Sequence, residues 1–299
     1  MMYKNGHSWV RCAQSHLEAN VLKDRLFRIV LIFSAVTVLF IPSACADGCP
    51  VRAVPEDGGT HWCYSAGSLG HVHLWKPASY DAASAVTVVY VHGYNLTEDG
   101  RQVTGKRAGL DGCVNAHYID CAWDKHHLAE QFAASGLNAL FVAVEGPVND
   151  HQRAKWKSLG SLLSTIGRHG FRVPKDVTAV GHSAGGFTVV NFLNDRRLKH
   201  VVALDALYRR VPRRLEKWYR PSQDHRLTLI GAEGLPEQTA AFGAKLGCDV
   251  VEDPAEAYSE DAMRARCVVA VDAAINHMAV VTDGEIVPIA LTRTYAPDP

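Results

Sequence analysis

The stretch VTAVGHSAGGFTV, residues 177–189, contains the pattern that decides the fold. Its first four residues are a short apolar run with β-branched members, which predicts a buried strand. The glycines at positions 181, 185 and 186 then allow a turn too tight for larger side chains. Apolar residues resume at Phe187 and predict a helix. The stretch therefore predicts a strand, a sharp turn and a helix, with the Ser183 side chain exposed at the turn.

Similar apolar runs recur along the chain, separated by segments with helical patterning. Strands are predicted at Val72–Trp75, Ala85–Val91, Ala139–Val144, Val177–Val180, His200–Leu204, Leu227–Ile230 and Cys267–Val271. Helices are predicted at Trp123–Ala134, His151–His169, Gly186–Leu193 and Glu237–Leu246. Short apolar strands alternating with helices in this way predict an α/β fold with a mostly parallel sheet flanked by helices. No linker rich in Pro or Gly divides residues 47–299, so we expect one domain there.

The composition is that of an ordinary globular protein. The 299 residues are 47% apolar and 21% charged, which excludes disordered, collagen-like and coiled-coil classes. The 31 basic and 31 acidic side chains cancel. Without a net positive charge, no long-range field would attract a phosphate backbone, so nucleic acid is not an expected partner.

Residues 1–46 have the features of a secretory signal peptide. The uncharged apolar run Ile29–Ile41 follows basic residues at positions 23, 25 and 28, and Ala44–Ala46 forms a small-x-small cleavage pattern. The run has 13 residues, fewer than the roughly 20 that a bilayer span requires. We therefore expect cleavage after Ala46, a secreted or periplasmic product and no stable membrane span. An uncleaved anchor and a lipoprotein attached through Cys45 are the alternatives, although Pro42 does not fit the second.

The long region before the apolar run suggests a different translation start. Initiation near Val21 would give a basic region of ordinary length, with residues 1–20 as a mis-called extension.

Six cysteines follow residue 46, an even number that favours disulfides in an exported protein. Proximity in sequence favours the pairs Cys49–Cys63, Cys113–Cys121 and Cys248–Cys267. Buried free thiols are the alternative.

Two motifs in the expected order give the chain a recognisable resemblance. Residues 181–185 form a G-x-S-x-G sequence between strand and helix, and His92-Gly93-Tyr94 follows an earlier strand. Residues 85–281 resemble the α/β-hydrolase superfamily. The resemblance implies that Ser183 is a nucleophile at an elbow after a central strand, and that the main-chain amides of Tyr94 and Ala184 form an oxyanion hole. It also places His92, Gly93 and His182 beside the substrate.

A serine nucleophile needs a base, and His277 is the best candidate. Three histidines follow Ser183 in the chain, and in this superfamily the order is Ser, acid, His. His200 and His225 begin or precede their predicted strands, at the wrong end of the sheet. His277 follows the last apolar strand after a short loop, where the superfamily places its base.

The acid that orients the base has two main candidates. Asp205 comes directly at the end of one buried strand, and Glu233 follows the next. Most α/β-hydrolases carry the acid after the later strand, whereas pancreatic-type lipases use the earlier one. Asp205 is favoured because its shorter side chain loses less rotamer freedom. Asp249 and Asp272 are further alternatives.

Two other polar clusters are candidate ligand sites. His71 and His73 would lie on the same face of a strand and could bind zinc, but alternating exposed residues explain this spacing equally well. The basic run at 209, 210, 213 and 214 is typical of a solvated face, with an anion site as the alternative. No metal or cofactor is expected.

Together these observations predict an exported serine hydrolase that cleaves a small-molecule or lipid ester through Ser183, His277 and Asp205. An amidase or peptidase with the same triad is one alternative, and a non-catalytic binding protein of the same fold is another. Short acyl chains are expected because no long apolar loop suggests a lipid-binding lid.

Overall fold

A computed structural model describes residues 53–94, 118–147, 154–220, 222–251 and 265–292. The predicted signal peptide, its alternative start, the boundary at residue 46 and the lipidation candidate Cys45 lie outside the described residues. Within the described ranges, no helix is both long enough and apolar enough to span a bilayer.

The described residues form a ten-stranded, mostly parallel sheet. Its strands are β1 (Val54–Glu56), β2 (Gly59–Ser65), β3 (His71–Pro77), β4 (Val86–Val91), β5 (Ala139–Val144), β6 (Val177–His182), β7 (Leu198–Leu204), β8 (Arg226–Ala232), β9 (Asp249–Val251) and β10 (Cys267–Asp272). Their spatial order is β1-β2-β3-β5-β4-β6-β7-β8-β10-β9. Strands β1 to β3 are antiparallel to their neighbours, and β4 to β10 run parallel.

Helices cover both faces of this sheet. They are α1 (Tyr118–Lys125), α2 (Leu128–Ala134), α3 (Leu159–Arg168), α4 (Gly186–Phe192), α5 (Val211–Tyr219), α6 (Pro236–Leu246), α7 (Ala279–Thr282) and α8 (Ile286–Thr292). Alternate residues of each central strand enter opposite layers of core. In β4, for example, Val89 and Val91 pack towards α3 to α6, whereas Val88 and Tyr90 pack towards α1, α2, α7 and α8. Burial on both faces explains why the central strands are apolar throughout.

The fold class agrees with the sequence prediction, whereas several elements differ. The predicted helix at Trp123–Ala134 is two helices, because His127 adopts a left-handed backbone (φ +48°) between α1 and α2. The predicted helix at His151–His169 begins only at Leu159, where the Ser158 hydroxyl accepts a hydrogen bond from the Ser161 amide. The sheet also has more strands than predicted, since β1, β2 and β9 were missed.

Candidate active site

Ser183 lies at a sharp turn between the central strand β6 and α4. The short 3₁₀ turn Ser183–Gly185 leads directly into the helix, and Ser183 has φ +52°. A positive φ is costly for a residue with a Cβ, so the surrounding packing must hold it there. Gly185 permits that packing, because a Cβ at this position would lie 2.2 Å from the Val91 carbonyl oxygen at the end of β4.

The segment after β4 lies against Ser183. A Cβ on Gly93 would come within 2.7 Å of the Ser183 Cβ and 3.1 Å of its Oγ. The main chain at Gly93 therefore borders the serine, with the Tyr94 amide next along this segment, and Ala184 follows Ser183 in the turn. Main-chain amides beside a serine are donors that can stabilise an oxygen on which negative charge develops.

His92 is buried beneath this segment, with only 3% of its surface exposed. The Gly146 amide donates to His92 Nε2 at 2.8 Å, so the proton of the neutral ring lies on Nδ1. That Nδ1–H donates to the Gly93 carbonyl at 2.6 Å. The buried His92 ring thus fixes the main chain of the loop at Gly93. The Glu145 carboxylate lies 3.2 Å from His92 Nε2.

Asp205 and His277 are in direct contact, although 72 residues separate them in sequence. The Nδ1–H of His277 donates to Asp205 Oδ2 at 2.5 Å. Asp205 is fully buried at the carboxyl end of β7, has φ +44°, and its Oδ1 accepts from the Ala232 amide at 3.1 Å. The contact fixes the His277 tautomer and leaves Nε2 as the unprotonated nitrogen. The His277 side chain is 29% exposed.

Glu233 binds the main chain of His277 and not its ring. Its Oε2 accepts from the His277 amide at 3.1 Å, and the Glu233 amide donates to the Ile275 carbonyl. Of the other acid alternatives, Asp249 is exposed in the edge strand β9, and Asp272 Oδ1 accepts from the Ala274 amide.

His182 contacts both the main chain and the ring of His277. It is 2% exposed, and its Nε2–H donates to the His277 carbonyl at 3.1 Å, with the two ring centroids 4.8 Å apart. Burial, assisted by the nearby His277, lowers the pKa of His182 well below its usual value. The ring is therefore neutral at physiological pH and acts as a hydrogen-bond donor.

Tyr208 is a neighbour of Ser183 that the sequence reasoning missed. Burial and the nearby Asp205 carboxylate raise the pKa of Tyr208, and its interaction with the Ser183 side chain opposes this rise. Its only sequence signal is its position three residues after Asp205. Among the described residues, Ser183 and His277 share no hydrogen bond in this structure. Such bonds are often loose before substrate binds.

The two histidines considered as zinc ligands bind Asp120. Asp120 lies 2.9 Å from both His71 Nδ1 and His73 Nε2, and His73 is almost fully buried, contrary to the expectation of alternating exposed residues. Burial would raise the pKa of Asp120, but its hydrogen bonds with His73 and His71 outweigh this, and the pKa is lowered. Cys63 is close enough to be a third ligand, but its sulfur is in a disulfide and offers no thiolate.

The predicted disulfide Cys248–Cys267 is present. Cys63 and Cys121 are also disulfide-bonded, but their predicted partners Cys49 and Cys113 lie outside the described residues.

Comparison with known proteins identifies the fold. No protein-family model matches the chain, and no curated protein matches it. Among solved structures, one described as FAE aligns with a TM-score of 0.51 at 11% identity, over 85% of this chain and 99% of the other. The feruloyl esterase module from Clostridium thermocellum aligns at 0.48 and 10% identity, over 80% and 92%. S-formylglutathione hydrolase from Agrobacterium tumefaciens aligns at 0.43 and 13%, over 74% and 89%. At these identities the likeness concerns the fold, which is that of the α/β-hydrolases.

Proposed function

We propose that this protein is a serine hydrolase that cleaves a carboxylic ester by acyl transfer to water. The contact between His277 Nδ1 and the buried Asp205 carboxylate carries the proposal. A carboxylate this deeply buried is retained at a cost in desolvation, which a merely structural role explains less well than the stabilisation of an imidazolium. The positive φ of Ser183 at a strand-to-helix turn supports the same assignment.

Each residue has a defined role in the proposed reaction. Ser183 Oγ attacks the ester carbonyl carbon while His277 Nε2 takes its proton, and Asp205 stabilises the resulting imidazolium. The amides of Tyr94 and Ala184 bind the oxyanion. His277 then gives the proton to the departing alcohol, and the same base activates the water that hydrolyses the acyl-enzyme. These steps require no cofactor.

His92, Gly93 and His182 complete the proposed site by supporting it. Gly93 provides the close approach of the loop to Ser183. The buried rings of His92 and His182 hold the main chains of Gly93 and His277. We therefore assign these two histidines to positioning and not to direct contact with substrate.

The proposed substrate is a small-molecule or lipid ester, with short acyl chains preferred. An ester is the simplest substrate for the proposed catalytic groups, because its alcohol needs less help to depart than the amine of an amide. Export is part of the proposal through the signal sequence before residue 47.

A fluorophosphonate probe tests the nucleophile. The purified protein should be labelled, and Ser183→Ala should abolish both the labelling and the hydrolysis of p-nitrophenyl acetate. Ser161→Ala, which removes an exposed serine on α3, is the matched control and should be labelled normally. Labelling that survives Ser183→Ala would refute the assignment. A folded protein that neither reacts nor hydrolyses any ester would favour the binding-protein alternative.

The substrate class is tested with p-nitrophenyl esters whose acyl chains have about 2, 4, 8 and 16 carbons. The matching p-nitroanilides are assayed beside them, with all substrates at about the same concentration. Faster anilide than ester cleavage would favour the amidase or peptidase alternative. A preference for the longest chain would reject the short-chain expectation.

A further inference from the structure

The segment that follows Asp205 and Tyr208 presents mainly cations to solvent. Every exposed residue between positions 209 and 220 is an arginine or a lysine. These residues are Arg209, Arg210, Arg213, Arg214, Lys217 and Arg220. The rest of the segment is buried or half-buried. Such a face differs from an ordinary solvated helix, on which cations alternate with carboxylates.

The packing of α5 fixes this orientation. Val211, Leu215, Trp218 and Tyr219 are buried against the core at helical spacing, so the opposite side of the helix must face outwards. The charges therefore form one continuous surface, which we call the cationic face.

The one carboxylate of this segment is already neutralised. Glu216 lies 3.1 Å from Arg220 Nε and 2.6 Å from Lys245 Nζ, so it pairs with a cation at the end of α5 and with another on α6. Lys245 extends the cationic face onto the neighbouring helix. The chain as a whole carries no net charge, so this concentration of cations is local and not a consequence of a basic composition.

A surface pocket of about 460 Å³ adjoins the cationic face. Its lining residues are Leu193, Asn194, Arg214, Lys217, Trp218 and His225, with no carboxylate among them. His225 stacks on Trp218 with the ring centroids 4.0 Å apart, and its Nδ1–H donates to the Trp218 carbonyl at 2.9 Å. The pocket wall is thus ordered, and two cations of the face border it.

We propose that the cationic face docks the protein reversibly on an anionic phospholipid surface. Lipid phosphates are complementary to the row of guanidinium and ammonium groups, and the pocket has room for a headgroup beside Arg214 and Lys217. The described part of the helix exposes no apolar side chain, so attachment is electrostatic and not insertive. Single-stranded nucleic acid fits less well, because the segment's aromatic residues, Trp218 and Tyr219, are buried and cannot stack on bases. This docking does not depend on the proposed ester hydrolysis.

Vesicle co-sedimentation tests the docking. The purified protein should sediment with vesicles of phosphatidylcholine and phosphatidylglycerol at about 70:30, but not with phosphatidylcholine alone, and added salt should release it. The triple variant Arg210→Gln, Arg213→Gln, Lys217→Gln should bind roughly 100-fold more weakly, at about fivefold per cation removed. The matched control is Arg168→Gln, Arg172→Gln, Lys175→Gln, which removes three exposed cations that precede β6 and do not belong to the cationic face, and it should bind like wild type.

Several outcomes would overturn the proposal. One is equal binding of the two triple variants, which would mean that total charge and not this face decides adsorption. Another is binding to phosphatidylcholine alone that neither variant alters, which would point to an apolar segment. A third is tight binding to heparin or RNA without binding to anionic vesicles. Ser183→Ala should still sediment with anionic vesicles, so failure of the proposed hydrolysis and failure of docking are distinguishable.

Discussion

Glu233 accepts a hydrogen bond from the main-chain amide of His277 at 3.1 Å, whereas Asp205 accepts one from the ring of the same residue at 2.5 Å. The two carboxylates that the sequence offers as the acid therefore hold different parts of one histidine. Only a carboxylate on the ring can stabilise a positive charge that develops there. Glu233 instead fixes the loop, together with His182, which binds the His277 carbonyl.

Replacing each carboxylate with its amide should separate these roles. Asp205→Asn should lower kcat by up to about 10⁴-fold, because the amide cannot stabilise the imidazolium and favours the wrong tautomer. Glu233→Gln keeps an oxygen acceptor for the His277 amide, so kcat should fall less than about tenfold. Steady-state kinetics with p-nitrophenyl acetate, with circular dichroism to verify folding, checks both. The opposite ranking would move the acid to Glu233, and two active variants would leave the triad without an acid.

The contact between Gly185 and β4 predicts a severe effect of a single methyl group. In Gly185→Ala the new Cβ would lie 2.2 Å from the Val91 carbonyl and 2.8 Å from that of His92, both rigid main-chain atoms. We expect a loss of more than about 3 kcal/mol in the free energy of unfolding, or failure to fold. Gly167→Ala in α3 is the control, since nothing lies within 4 Å of its Cβ, and it should be neutral or stabilising by up to about 1 kcal/mol. Urea denaturation measures both, and equal effects would contradict the prediction.

The lowered pKa of His182 predicts a stability that depends on pH. The unfolded chain takes up a proton near pH 6.5, while the buried ring does not until the pH is well below that value. Stability should therefore fall as the pH drops below about 6.5, with a slope of up to about 1.4 kcal/mol per pH unit from this group. In His182→Gln the slope should be smaller. A smaller dependence of stability on pH should remain in this variant, because burial also lowers the pKa of His73.

Thermal unfolding at pH 7.5 and 5.5 provides the measurement (values chosen about one unit either side of the usual histidine pKa). His169→Gln removes an exposed imidazole and is the matched control. If His182→Gln and His169→Gln have the same pH dependence as wild type, His182 does not contribute as described.

The disulfide between Cys248 and Cys267 should stabilise the edge of the sheet without affecting catalysis. It connects the residue before β9 to the first residue of β10, 19 positions apart. Replacing both cysteines with alanine should lower the free energy of unfolding by about 2–4 kcal/mol, mainly because the unfolded chain gains freedom. The kcat of the folded double variant should be unchanged. A large fall in kcat would show that this edge also positions the site.

The central strands were predictable because burial on both faces leaves an unbroken apolar run. In β4 and β5 all residues are buried, and both strands were predicted within one residue of their observed bounds. Strands β1 and β9 have only three residues each and lie at the edges, so their sequences carry too few buried positions to be recognised. The break at His127 was missed because no glycine or proline signals it.

Contacts between distant segments limited what could be predicted about the polar clusters. His71 and His73 meet Asp120, which follows them by 49 and 47 residues. Asp120 is not part of the local sequence pattern, so the spacing of the two histidines predicted either surface residues or zinc ligands. The same limit applies to Tyr208, because proximity to Ser183 depends on how β6 and β7 pair and not on any motif.

The left-handed backbone of Ser183 places the proposed function and the stability of the fold in conflict at this residue. Serine at φ +52° holds the chain in a conformation that glycine adopts freely. Ser183→Gly removes the proposed nucleophile and should raise the melting temperature, because it relieves roughly 1 kcal/mol of backbone strain. Catalytic competence and maximal stability would then be incompatible at this one position. The inactive glycine variant would therefore be more stable than the wild-type protein, and it would suit experiments that capture a bound, uncleaved ester.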